Sequence, residues 1–144
     1  MKRMEIQAHL VAALAGAAAT CLATAGDLPA SALFFASAFL IDADHVLDFF
    51  LIYRRLDFGR MIRGHFYKDR IWVLLHSAEI PIAALVLWPG IYSIAFAAGY
   101  FLHLALDAAE YSFRNPLLTY FFSYRLAVGF SKQKLCSKSD DFSA

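Results

Sequence analysis

The stretch Phe39-Leu40-Ile41-Asp42-Ala43-Asp44-His45-Val46-Leu47-Asp48-Phe49-Phe50 puts three carboxylates and an imidazole within seven residues of an otherwise apolar run. On a helix advancing ~100° per residue, Asp42, His45, Asp48 and Asp44 fall within an arc of about 160°, so one face presents them all. The surrounding run, residues 31–53, is as long and apolar as a bilayer crossing. An ionisable side chain at membrane depth costs at least ~2.5–3.5 kcal/mol on insertion scales. Four together demand compensation, and that demand constrains how the rest of the chain can be arranged.

Composition supports the membrane reading. Of the 144 residues, 60% are hydrophobic and 17% charged, with a mean hydropathy of +0.54. Soluble domains are nearer 45–50% apolar and about 25% charged, so the sequence predicts an all-α integral membrane protein. The net charge of +1 says nothing about nucleic acid, and no basic stripe interleaved with aromatics appears, so nucleic acid is not an expected partner. Cys21 and Cys136 form no CxxC pair, which argues against a disulfide framework or a thiolate zinc site. Histidine and carboxylate remain as metal ligands.

Four apolar segments, about 6–25, 31–53, 71–88 and 91–113, are each near the ~20 residues that cross a bilayer. Gly26-Asp27-Leu28-Pro29 and Trp88-Pro89-Gly90 are tight turns, so the expected architecture is a four-transmembrane-helix bundle of two antiparallel hairpins. The basic loop 54–70 joins the hairpins. Residues 117–130, apolar and aromatic but interrupted by Arg125, are too short to cross and predict an interfacial helix. Residues 1–130 thus read as a single transmembrane domain and 131–144 as a polar, disordered tail. Met1-Lys2-Arg3 before an Ala-rich run has the look of a signal peptide. The length of that run and its His9 favour a retained span.

Basic residues set the orientation. Lys2, Arg3, the six Lys/Arg of loop 54–70 and the five from Arg114 onward account for all 13 if both termini are cytoplasmic. With that topology, His9, Asp42 to Asp48, His76, Glu79, His103, Asp107 and Glu110 share one layer, roughly 5–16 Å from the cytoplasmic helix ends. Facing agrees with depth. His76 and Glu79 are three apart, His103 and Asp107 four apart, and Glu110 continues the second stripe.

The four spans hold six carboxylates and four histidines but no Lys or Arg. Six potential negative charges at low dielectric must be protonated, hydrated or neutralised by a bound cation. Imidazole with carboxylate is the ligand mix of Zn²⁺, Mn²⁺ or Fe²⁺ rather than of Ca²⁺. The expected metal ligands are His9, Asp42, Asp44, His45, His76, His103 and Asp107, enough for one or two ions, with zinc the leading expectation. His9 near an interface has the alternative of snorkelling. Glu79 is the candidate general base and Asp42 its companion in catalysis. Asp48 and Glu110 lie nearer the headgroups and read as solvated or as outer partners of the ligands. Ser77 is a weak nucleophile candidate, His65 a plain loop histidine, and Arg63 or Arg70 a possible hold on a lipid phosphate.

Asp42-Ala43-Asp44-His45, His76-Ser77, His103-x-x-x-Asp107 and the early His9 resemble, in order and spacing, the pattern of inner-membrane metal-dependent hydrolases of the YdjM/DUF457 type. The resemblance covers residues 6–113. Many members carry a His-Arg-Gly-x-Thr-His-Ser run before the third span, and here only His76-Ser77 matches it. A second metal would therefore need His65 or Glu79 in place of the lost histidine.

Residues and resemblance together lead to one expectation: a membrane-embedded hydrolase of a lipid or lipid-linked phosphoester at the cytoplasmic leaflet of the inner membrane, acting through metal-activated water. The alternatives are a metal-ion or proton transporter using the same ligands, or a scaffold pinned by metal. Residues 10–25, 31–38, 80–88 and 91–102 carry no charge, which leaves a transporter without a polar path to the outer face.

Overall fold

A computed structural model describes residues 6–54, 70–110 and 113–137. Among them the chain is helical, without a strand: α1 (Ile6–Ala23), α2 (Leu28–Phe39), a 3₁₀ turn (Leu40–Asp42), α3 (Ala43–Tyr53), α4 (Glu79–Leu87), α5 (Ile91–Glu110) and three short helices, α6 (Pro116–Thr119), α7 (Phe122–Ala127) and α8 (Lys132–Leu135). His65, Arg63, Lys2 and Arg3 lie outside the described residues.

The first turn follows from local chemistry. Ala25 and Gly26 take positive φ (52° and 92°), and Asp27 caps α2 by accepting from the Ala30 N–H at 3.0 Å. Pro29 sits in the first turn of α2, where its missing N–H costs nothing. The helix then lies against α1 and α5 through a small-residue seam of Ala13, Ala30, Ala38 and Ala95 around Phe34. Gly99 permits this approach. A Cβ there would collide with the Phe34 carbonyl and the Ser37 hydroxyl. Small residues at such a seam let helix backbones close on one another when apolar burial alone does not drive association.

Two expected spans differ in continuity. The segment 31–53 breaks at Leu40–Asp42, where α2 gives way to the 3₁₀ turn and then α3. The segment 71–88 is helical only from Glu79; residues 71–78 are irregular, with Val73 at φ 28°. The reason is long-range hydrogen bonding. Asp48 Oδ2 accepts from the Val73 N–H and Asp44 Oδ2 from the Leu75 N–H, each at 2.8 Å. Arg125 donates to the carbonyls of Trp72, Val73 and His76 at 3.2, 2.6 and 3.0 Å. Side chains thus replace the helical partners of this backbone.

The C-terminal part is a strap rather than one interfacial helix. Ile71 N–H donates to the Phe130 carbonyl at 3.1 Å, Ala78 N–H to Tyr120 at 2.7 Å and Arg114 N–H to Leu135 at 2.9 Å. Leu135 and Cys136, expected in a disordered tail, are buried with Phe49, Ile71 and Val73. Ser131 starts α8 beside them, so the described tail residues 131–137 are held by apolar burial and by the Arg114 bonds to Leu135 and Cys136. Residues 138–144 lie outside the described part.

Among the described residues one helix, Ile91–Glu110, is long and apolar enough to cross a membrane, and Gln7–Ala23 is a shorter apolar helix. Leu22 on α1, Val86 on α4 and Trp88 just past the end of α4 are 84%, 72% and 76% exposed.

Candidate metal centre

The break in the second segment and the irregular third bring their polar residues to α5. Asp42 ends the 3₁₀ turn, Asp44 and His45 open α3, and His76 projects from the irregular segment. His103 and Asp107 lie one turn apart on α5, and His9 comes from α1. Four donor atoms meet at the centre. His76 Nε2 lies 3.2 Å from His103 Nε2, 3.5 Å from Asp42 Oδ1 and 3.2 Å from Asp107 Oδ2. His103 Nε2 lies 3.4 Å from Asp42 Oδ1 and 3.5 Å from Asp107 Oδ2. With zinc bonds of ~2.0–2.2 Å, a tetrahedron has edges of about 3.3–3.5 Å. These five separations match it.

The same spacing continues outward on both sides. His45 Nε2 stands 3.3 Å from Asp42 Oδ1, and His9 Nε2 stands 3.5 Å from Asp107 Oδ1. Two sets of three donors, His9–His103–Asp107 and Asp42–His45–His76, could each hold a metal ion.

Outer contacts orient both rings. His103 Nδ1 lies 2.9 Å from the Ala38 carbonyl, which can only accept, so Nδ1 carries a proton and the neutral ring has its lone pair on Nε2. His76 Nδ1 lies 3.2 Å from Asp44 Oδ2, a carboxylate oxygen already bonded to the Leu75 N–H. That oxygen accepts from the Nδ1–H, so the neutral ring turns a second Nε2 lone pair toward the first. A ligand histidine whose other nitrogen is tied to a carbonyl or carboxylate is the usual outer arrangement of a metal site. Asp42 Oδ1, Asp107 Oδ1 and both nitrogens of His9 are buried without a hydrogen bond. Buried polar atoms of that kind need a partner, and a cation in the centre would supply one to the two carboxylate oxygens and to one nitrogen of His9.

The centre is closed on one side and reachable on the other. His9, His76, His103 and Asp107 are buried, whereas the side chains of Asp42 and His45 are 34% and 24% exposed.

Not every expected site residue is in the cluster. Asp44 stands behind His76, orienting the ring through Nδ1. Glu79 points away. Its Oε1 accepts from the Ser123 N–H and hydroxyl, and its Oε2 from the Phe122 N–H and Ser77 hydroxyl, all at 2.9 Å. Those four donors occupy the carboxylate that a general base would need free, and they tie α4 to the start of α7. Ser77 is likewise engaged, donating to Glu79. Asp48, expected near solvent, is buried on the Val73 N–H. Glu110 is half-exposed at the end of α5.

The sequence reading missed Arg125. It is 1% exposed, and besides its three carbonyls it donates to the Ser77 hydroxyl at 3.4 Å. Burial pushes its guanidinium below the ordinary value, while the nearby charges of Asp44, Glu79 and Asp48 pull it back up. The cation absent from the four apolar segments is thus delivered by the strap. A lone arginine in the apolar run 117–130 was the available signal.

Compared with family models, with curated proteins and with solved structures, the chain finds no match.

Proposed function

We propose that this chain is a four-span inner-membrane protein, of the type its motifs resemble, that holds divalent metal in the His/Asp centre and hydrolyses a lipid-linked phosphoester at the cytoplasmic leaflet. The observation that carries the reading is the pair of Nε2 lone pairs of His76 and His103, 3.2 Å apart and flanked by Asp42 and Asp107. A bound divalent ion supplies two things there: a lowered pKa for its water and a polarised phosphoryl oxygen.

The chain's own residues do the rest. Asp44 and the Ala38 carbonyl fix the two ring tautomers, and the buried side around His9 excludes bulk water. The half-exposed Asp42 and His45 form the side from which substrate reaches the centre. A structural metal site is ordinarily closed on all sides, so the open side favours reaction over scaffolding.

Exposed apolar side chains on α1 and α4 support membrane insertion, as does the short apolar turn between the latter and α5. Irregular backbone at membrane depth is tolerated where protein covers it. Segment 71–78 meets that condition through Asp44, Asp48 and Arg125.

The test is phosphate release from lipid phosphoesters in mixed micelles by the full chain, with and without added Zn²⁺ or Mn²⁺, beside Asp42→Asn. Metal-dependent release lost in the variant is the expected result. Release that persists at the same rate in Asp42→Asn overturns the reading.

A further inference from the structure

Six side chains converge where a four-coordinate ion would use four. The two outermost, on His9 and His45, are set 3.5 and 3.3 Å from opposite carboxylates, the edge length of a coordination tetrahedron and longer than a good hydrogen bond. We propose that the centre is binuclear: one divalent ion on Asp42, His45 and His76, a second on His9, His103 and Asp107, with the two carboxylates spanning them. This rests on the metal reading above and sharpens it to a count and an assignment.

Three observations support the division. First, each set draws on two separate parts of the chain: the 3₁₀ turn and α3 with the irregular segment, or α1 with α5. Second, each carboxylate reaches across. Asp42 Oδ1 lies 3.4 Å from His103 of the other set, and Asp107 Oδ2 lies 3.2 Å from His76, while Asp107 Oδ1 faces His9. Asp107, with its two oxygens turned to different histidines, has the form of a bridge, while Asp42 reaches histidines of both sets through Oδ1 alone; paired ions sit ~3.5–4 Å apart in two-metal sites. Third, His9 is 3% exposed with neither ring nitrogen hydrogen-bonded. A single central ion leaves that ring with only the long contact to Asp107 Oδ1, whereas a second ion uses it.

Charge points the same way. Asp42, Asp44 and Asp107 carry −3 when ionised, and their histidines are held neutral as ligands. With the buried Asp48 and Arg125 cancelling each other, one divalent ion leaves −1 in the layer, whereas two give +1. A surplus positive charge at the open side complements an anionic phosphoester. The substrate class that fits a binuclear centre is accordingly a phosphate ester, whose attacking and leaving oxygens two ions can clamp.

The experiment uses the full chain in detergent, loaded with Mn²⁺, freed of excess ion and read twice. Elemental mass spectrometry gives the stoichiometry, and electron paramagnetic resonance distinguishes an exchange-coupled pair from isolated Mn²⁺. Two equivalents with a coupled spectrum, falling to one equivalent with an uncoupled spectrum in both His9→Gln and His45→Gln, are expected. Glutamine keeps the volume and polarity, and circular dichroism checks that each variant is folded; the wild-type spectrum stands even where a variant does not fold. One equivalent in the wild type, or an uncoupled spectrum, overturns the binuclear assignment and leaves the metal reading intact. No bound metal overturns both.

Discussion

His76 and His103 face each other through Nε2 atoms 3.2 Å apart, and the Nδ1 atom of each ring is held by an acceptor, Asp44 Oδ2 and the Ala38 carbonyl. Two lone pairs at that distance repel unless something positive lies between them. Each ring is fixed from behind, so neither can turn its N–H inward without leaving a buried acceptor unpaired, at about 1–3 kcal/mol. A cation bound between the two rings would relieve that repulsion.

Asp44 and Asp42 should therefore respond differently to the same substitution. Asp42→Asn removes a donor from the centre, and metal binding by calorimetry in detergent is expected to fall below detection. Asp44→Asn removes only the brace behind His76, which typically weakens a metal site by about 10–100-fold. Equal losses in the two variants would show that Asp44 binds metal itself.

Metal should stabilise the fold, because His9, Asp42, His76 and His103 come from four parts of the chain. A ligand present at 1,000 times its Kd adds about 4.1 kcal/mol to the native state. Chelation is expected to lower the thermal midpoint by several degrees, read by circular dichroism in detergent, and one added equivalent of Zn²⁺ should begin to restore it. An unchanged midpoint would mean that the centre is empty in the folded protein.

Arg125 tests the strap. Arg125→Met removes a donor from the carbonyls of Trp72, Val73 and His76; Val73 keeps the His76 N–H, and each buried carbonyl left unpaired costs about 1–3 kcal/mol. The expected loss is several kcal/mol in denaturant or thermal unfolding, with Arg125→Lys recovering part of it because an ammonium retains three donors. Metal affinity should fall in parallel, since His76 rides on the segment that Arg125 holds. A stable variant with normal metal binding would show that the strap is dispensable.

These relationships explain which parts of the architecture were legible in the sequence. Asp42, His76, His103 and Asp107 were readable because charge in an apolar run has few structural uses, and their shared depth predicted that they would meet. The turn at Gly26-Asp27 was readable because its signals are local. Segment 71–78 was not. Its apolar run, Ile71 to Leu75, has the composition of a helix, and the bonds that unwind it come from Asp44, Asp48 and Arg125, 31, 25 and about 50 residues away. Periodicity registers neighbours three and four apart and nothing at that range. Glu79 misled for a related reason: its helical spacing from His76 fits a stripe that exists only if the helix begins before Glu79.

Gly99 offers a test of how tightly the centre is framed. The seam between α2 and α5 carries Ala38, whose carbonyl orients His103, and Gly99 faces Phe34 and Ser37 one turn before that histidine. Gly99→Ala adds a Cβ that meets backbone rather than a flexible side chain, so the helices must separate. Overpacking of this kind costs about 1–3 kcal/mol. Any separation also moves the Ala38 carbonyl away from His103 Nδ1 and frees the ring to turn. Gly99→Ala is thus expected to lower both thermal stability and metal affinity, while Gly90→Ala, in a turn with open space around it, should change neither by more than about 0.5 kcal/mol. Replacement of the metal by Co²⁺ gives the sharper readout, because its visible absorption follows the ligand geometry. An altered Co²⁺ spectrum in Gly99→Ala would trace the effect to the Ala38–His103 bond. A wild-type spectrum with reduced stability would place the strain in the seam alone.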